Sequence, residues 1–229
     1  MLAAAAIVIA VVAAKLAAQD SFEIPRIAKD RTLAADPSAA PWPSAAQVAF
    51  ASDRYGASVA GSRTEIRGVW SKKYLYLLFV SQFEKMRLKA NPSAKKETWG
   101  LWDYDVVEVF IGADTSHIGR YKEFEVSPQN EWVDLEVDRD RAGKEVDWEW
   151  DSHFEWVSRV DPATHIWYCA MRIPWKSISA ASPRAGGEYR LNLYRIEGAE
   201  PNRKYLAWRP VNSPSFHTPS AFGKLRLSK

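Results

Sequence analysis

From Thr64 to the C-terminus the chain is a succession of short β-branched and aromatic runs, each bounded by turn residues, and no stretch carries a helical period. That pattern admits few folds. Asn130 to Asp138 alternates, with Val133, Leu135 and Val137 on one face and Trp132, Asp134, Glu136 and Asp138 on the other. Lys73 to Phe83 is nearly all apolar and reads as a central strand covered on both faces. Asp105 to Gly112, Tyr121 to Val126, Phe154 to Val160, Ile166 to Ile173, Glu188 to Ile196, Lys204 to Arg209 and Phe222 to Leu227 complete the set, and Pro174 ends a strand before a short turn of helix over Trp175 to Ile178. About eight to ten closely spaced strands predict an all-β protein, a single antiparallel β-sandwich or jelly-roll-like domain. A chain of 229 residues can bury a core without staples, and its single cysteine, Cys169, excludes a disulfide framework, a thiolate zinc site and an iron–sulfur cluster. Charges of both signs are interspersed and the net charge is only +3, which argues against nucleic acid as a partner.

The N-terminus has a different character. Residues 3 to 14 are continuously small or apolar, too short a run to cross a bilayer comfortably but right for the apolar part of a secretory signal. Cleavage after Ala18 is expected, or retention of residues 1–18 as an N-terminal anchor, which alone would tie the protein to a membrane. Removing that segment takes away one base, Lys15, and lowers the net charge from +3 to +2. Residues 19–40 read as an extended lead-in, Pro-rich from Asp36, and residues 41–229 as the sandwich. An exported protein follows, periplasmic, extracellular or at the cell surface. The long basic connection from Glu84 to Gly100 is the segment most suited to a functional loop.

Fingerprints of common enzymes are missing: there is no GxSxG, HExxH, phosphate-binding or dinucleotide motif. Carboxylates that could be paired are plentiful, among them Asp103, Asp105 and Glu108, and Glu123 with Glu125 on one strand face. His117, His153, His165 and His217 are isolated, without metal-ligand spacing. Asp134, Glu136, Asp138 and Asp140, with Asp147 beyond, offer hard oxygen ligands at a spacing that suits calcium, without the EF-hand pattern. Eleven tryptophans are the oddity of the composition. Trp70, Trp132, Trp156 and Trp167 fall in strands and suit the core, whereas Trp99, Trp102 and Trp208 lie near strand ends beside polar groups. An indole at such a place can stack on the apolar face of a sugar ring while its neighbours bind the hydroxyls.

Four segments in order, LWDYDVVEVF from Leu101, YKEFEVSP from Tyr121, MRIPW from Met171, and the closing Trp208-Arg-Pro with Phe216-His-Thr-Pro and Phe222-Gly-Lys-Leu, resemble the family 9 carbohydrate-binding modules of the DOMON-like sandwich group. The resemblance covers about residues 40 to 229. It implies a sandwich that binds sugars without cleaving them, with two tryptophans clamping a sugar. On this reading Trp102 is one wall, Trp208 the second, and Glu108 a hydroxyl acceptor, with Asp105 and Trp99 beside them. Tyr205 stands where the family has Asn. Family members carry structural calcium, here without assigned ligands. The implied partner is a mono-, oligo- or polysaccharide, with a separate hydrolase as a possible associate. Two rival readings are a surface or assembly domain without a sugar ligand, and a b-type haem electron-transfer domain using Met86 or Met171 with a histidine.

Overall fold

A computed structural model describes residues 20–229; the expected signal segment lies outside the described residues. Thirteen strands run in chain order. They are β1 (Ser21–Ile24), β2 (Ala46–Phe50), β3 (Thr64–Trp70), β4 (Tyr74–Gln82), β5 (Val106–Gly112), β6 (Arg120–Val126), β7 (Trp132–Asp138), β8 (Val146–Asp147), β9 (Glu155–Asp161), β10 (Ile166–Pro174), β11 (Glu188–Glu197), β12 (Lys204–Ala207) and β13 (Gly223–Leu227). The one α-helical element among the described residues is the turn α1, Trp175–Ile178, where it was expected.

Two sheets form the sandwich. The larger has eight strands in the order β1-β13-β11-β5-β6-β7-β8, with β12 also paired to β11. The smaller has five, in the order β2-β3-β4-β10-β9. Pairing is antiparallel except between β1 and β13, which run parallel with Ser21 opposite Lys224. The lead-in is therefore extended but not free, because β1 closes the edge of the large sheet and sends Phe22 and Ile24 into the core.

Three apolar layers follow from the alternation of the strands. Between the sheets lie Ile66, Leu75, Leu77 and Phe79 against Val107, Val109, Ile111, Leu191 and Leu193, with Trp70 and Trp167 among them. Their indole N–H groups are satisfied, Trp70 donating to the Ser228 carbonyl at 2.9 Å and Trp167 to Ser158 Oγ at 2.7 Å. The outer face of the small sheet is covered by Ala35 and Trp42, which rest near Val69, Tyr76, Leu78 and Ala170. That second cover explains why β4 is an unbroken apolar run, since both its faces are dry. The third layer lies on the outer face of the large sheet, where Val106 and Phe110 of β5, Tyr121 of β6, Val133, Leu135 and Val137 of β7 and Tyr194 and Ile196 of β11 meet Phe216. The alternating β7 thus turns its apolar side outward, away from the space between the sheets.

The acidic run beyond it does not gather into a calcium site. Asp134 accepts the Ser152 N–H at 2.7 Å, Glu136 pairs with Lys122, Asp138 with Arg120 at 3.2 Å, and Asp147 with Lys144 at 3.1 Å. These carboxylates already have cationic or N–H partners. Against Asp134 lies Glu97, whose carboxyl is pushed up to about 8 by burial and by that hydrogen-bonded neighbour.

Candidate functional site

The third apolar layer is open at its centre. A cavity of about 340 Å³ sinks into the outer face of the large sheet, lined by Trp99, Trp102, Phe110, Tyr205 and Phe216, with Glu108, Glu123 and Glu125 at its floor. The floor follows from strand register. Glu108 of β5 stands opposite Glu125 of β6, and Glu123 is two residues further along β6 on the same face. The three carboxylates each place an oxygen within 4.8 Å of the others, and among the described residues they are the one set of three acids close enough to share an ion. All three are buried: Glu108 and Glu123 are 2 % exposed and Glu125 0 %. Glu123 and Glu125 bond to one another, and no residue outside the cluster donates to either oxygen of Glu125 or to Oε2 of Glu123.

Burial, and then the neighbouring carboxylates, hold all three well above the usual range, with Glu123 at about 8. His217, which also lines the cavity, is driven the other way. Burial in the wall and the charge of Arg139 lower it to about 4, so it stands neutral, with Nδ1 2.7 Å from the Tyr121 hydroxyl. The two arginines nearby are engaged elsewhere. Arg54 donates to the Pro214 carbonyl at 2.6 Å and lies 4.3 Å from the centre of the Tyr205 ring. Arg203 donates to the carbonyls of Trp102, Asp103 and Tyr104.

Those Arg203 bonds fix the turn that carries Trp102. Gly100, at φ +77°, sets the chain into a single 3₁₀ turn, Leu101–Asp103. A side chain at Gly100 would be strained at that φ. Leu101 is buried beneath the turn and Trp102 leans over the cavity. Trp99, 54 % exposed, meets Trp102 edge-on with centroids 4.9 Å apart and lies 5.7 Å from Trp148. Trp99 ends the basic connection from Glu84 to Gly100, which is pinned by the Arg87 N–H to Asp105 and the Thr98 N–H to the Trp132 carbonyl. The expected loop does border the site. Across the sheet, β12 brings Tyr205 to the other flank, and Phe216 arrives from the C-terminal segment, stacked on Tyr194 at 4.1 Å.

Of the residues singled out in the sequence, Trp102, Trp99 and Glu108 line this one cavity. Trp208 does not. It is 2 % exposed in the core between the sheets, edge-on to Phe22 at 6.5 Å. Its ring is packed so tightly that a Cβ on Gly223 would lie 2.9 Å from it. The reason is parity: the Trp208 N–H pairs with Leu193, an inward residue, while Tyr205 stands opposite Ile196, an outward one. Asp105 also faces away from the cavity. Its Oδ1 accepts N–H groups from Arg87 at 3.1 Å and Gly198 at 2.7 Å, and burial pushes its carboxyl up to about 6. Asp105 thus ties two loops together beside the buried Arg195–Glu197 pair. The residues missed as walls, Tyr205 and Phe216, lie in segments too short for a periodicity argument. Glu123 and Glu125 were legible as one face of a strand, but not as neighbours of Glu108.

The residues named for a haem are divided. Met171 is fully buried between the sheets, whereas Met86 and His165 line a cleft of about 990 Å³ whose rim carries Glu84, Lys85, Arg87 and Lys204.

Comparison with known proteins agrees with this architecture. A protein called an extracellular protein, from Arthroderma benhamiae, is 27% identical, the match covering 71% of this chain and 78% of that one. A crystal structure of a candidate carbohydrate-binding protein from Bacteroides uniformis superposes with a TM-score of 0.70 at 17% identity, over 91% of this chain and 99% of the other. A family 9 carbohydrate-binding module from Caldicellulosiruptor kristjanssonii superposes in its glucose complex with a TM-score of 0.58, over 90% of this chain and 95% of that one. Its cellotriose complex gives 0.60, over 91% and 93%; both are 13% identical, so the likeness is one of fold. The sequence model of the carbohydrate family 9 binding domain-like family matches residues 37–229. With nearly the whole described chain inside that match, the protein belongs to the carbohydrate family 9 binding domain-like family.

Proposed function

We propose that this chain is an exported, non-catalytic carbohydrate-binding module whose ligand enters the outer cavity of the large sheet. The observation that carries the reading is the combination of indole faces and buried carboxylates in one concave site, on a fold shared with modules that bind glucose and cellotriose. Trp102 and Trp99 offer stacking surface for the apolar face of a sugar ring, and Tyr205 and Phe216 complete the walls. Glu108 accepts hydroxyl hydrogen bonds from the floor. Hydrolysis would need two carboxyls flanking the scissile bond, about 5–9.5 Å apart. Here the three acids share one spot on adjacent strands, on the same side of the cavity. Residues 1–18 act as the export signal in this reading, in keeping with the extracellular relative. A separate hydrolase is the natural associate for a module of this kind.

Intrinsic tryptophan fluorescence tests the proposal. Titration of the purified chain with glucose, xylose, cellobiose and cellotriose is expected to give a saturable change. Trp102→Ala is expected to abolish it, while leaving the melting temperature close to that of the parent because Trp102 is only partly buried. A flat response to every saccharide would overturn the reading in favour of an assembly domain.

A further inference from the structure

We infer that the cavity selects a saccharide bearing a free ammonium group, a 2-amino-2-deoxy sugar or its oligomer, over the corresponding neutral sugar. This rests on the reading above, that the cavity is a sugar site. The geometric basis is an excess of unpartnered acceptors. Three carboxylates converge within 4.8 Å, at most 2 % exposed; Glu123 and Glu125 bond only to one another, and no residue outside the cluster donates to Glu123 Oε2 or to either oxygen of Glu125. A buried acidic group without partners is costly, and persists where something outside the protein supplies them.

The surrounding charges do not supply them. Arg54 donates through one nitrogen to the Pro214 carbonyl and Arg203 to the carbonyls of Trp102 and Asp103, Tyr121 faces His217, and Asp103 adds further negative charge near Glu125. Arg203 acts on the cluster only as a charge that favours ionised Glu108, and His217, 3.9 Å from Glu123, is held neutral by its surroundings. One hydroxyl-accepting carboxylate suffices to orient a neutral sugar. Three acceptors around one point match the three N–H donors and the charge of an ammonium. The walls suit the same ligand, since the faces of Trp99 and Trp102 attract cations as well as sugar rings. A bare divalent ion would be served by six to eight oxygens and would leave an aromatic cavity of about 340 Å³ unexplained. Because burial keeps protons on the empty floor, entry of the ammonium also expels one.

Isothermal titration of the purified full chain tests this, at pH 6.5 with EDTA present. The ligands are cellotriose, the fully deacetylated glucosamine trimer and the N-acetylglucosamine trimer, each in two buffers of different ionisation enthalpy. The glucosamine trimer is expected to bind at least about tenfold tighter than the other two, as charge-assisted hydrogen bonds would give, and to release about one proton. Glu125→Gln and, independently, Glu123→Gln are expected to bring the ratio of amine to neutral trimer affinity to within about twofold, whatever either does to the affinity for cellotriose itself. Equal binding of the amine and neutral trimers overturns the inference and leaves the sugar reading standing. Absence of binding by all three overturns both. Cellotriose binding that appears only when calcium replaces EDTA assigns the carboxylates to a metal ion and likewise overturns the inference.

Discussion

The carboxylate floor should make folding stability fall with pH in a range where most proteins are indifferent to it. Glu108, Glu123 and Glu125 have folded-state pKa values raised by burial above their ordinary value near 4.5. The unfolded chain therefore releases these protons first, and stability is greatest at low pH and declines as pH climbs toward the folded values. Each proton held only by the folded state tilts stability by about 1.4 kcal/mol per pH unit. Glu123, at about 8, still holds most of its proton between pH 7 and 8, so its loss alone is about 1 kcal/mol, or ~2–4 °C in melting temperature for a domain of this size, and Glu108 and Glu125, raised in the same direction, add to it. Glu97, also pushed up to about 8, adds to the decline in that window, so the difference in slope between parent and Glu125→Gln isolates the floor. His217, at about 4, is neutral in both states above pH 7, and Asp105, at about 6, has already ionised. Cys169, kept as a thiol by burial, adds to the decline only at higher pH. Thermal melts of the parent and Glu125→Gln at pH 7, 7.5 and 8 measure the effect. The parent curve should slope downward, and the variant should lose about one proton's worth of that slope and melt higher at pH 8. A parent melting temperature that is level or rises with pH, or a variant with the parent's slope, would refute the picture of a protonated, uncompensated floor.

Two further outcomes separate the core from the cavity. Trp208→Ala should lower stability by about 3–5 kcal/mol by chemical denaturation, as removal of a fully packed indole does, with conservative Trp208→Phe retaining saccharide binding. Gly100→Ala should cost about 1 kcal/mol through its left-handed backbone, and should weaken saccharide binding several-fold through displacement of Trp102, read by the same fluorescence titration.

Much of the sandwich was legible because strand signals are local. Alternation over Asn130 to Asp138, the apolar run before Phe83 and the turn after Pro174 each reported on their own neighbourhood, and each corresponds to an element. Trp102 was singled out by its place beside polar groups near a strand end and by the resemblance, while the turn that carries it is a feature of the structure. Trp208 shows where this stops. Its sequence neighbourhood, with Pro and Arg, suits a ligand-facing residue as well as a core one, and only the register of β12 against β11 turns Tyr205 outward while Trp208 packs inward. A shift of one residue exchanges the two faces of a strand, and no local feature of the short β12 fixes that parity.

The sequence by itself determined an all-β chain with one free cysteine and its main strands. Tertiary structure decided which acids meet. Glu108 lies on β5 and Glu123 and Glu125 on β6, and their convergence is set by cross-strand register, which is a property of the paired sheet and not of either strand. It decided equally that the lead-in becomes β1 beside the last strand, and that the third apolar layer faces outward and leaves a cavity. Such features arise from contacts between residues far apart in the chain, whose free energy depends on the surfaces that packing brings together and removes from water.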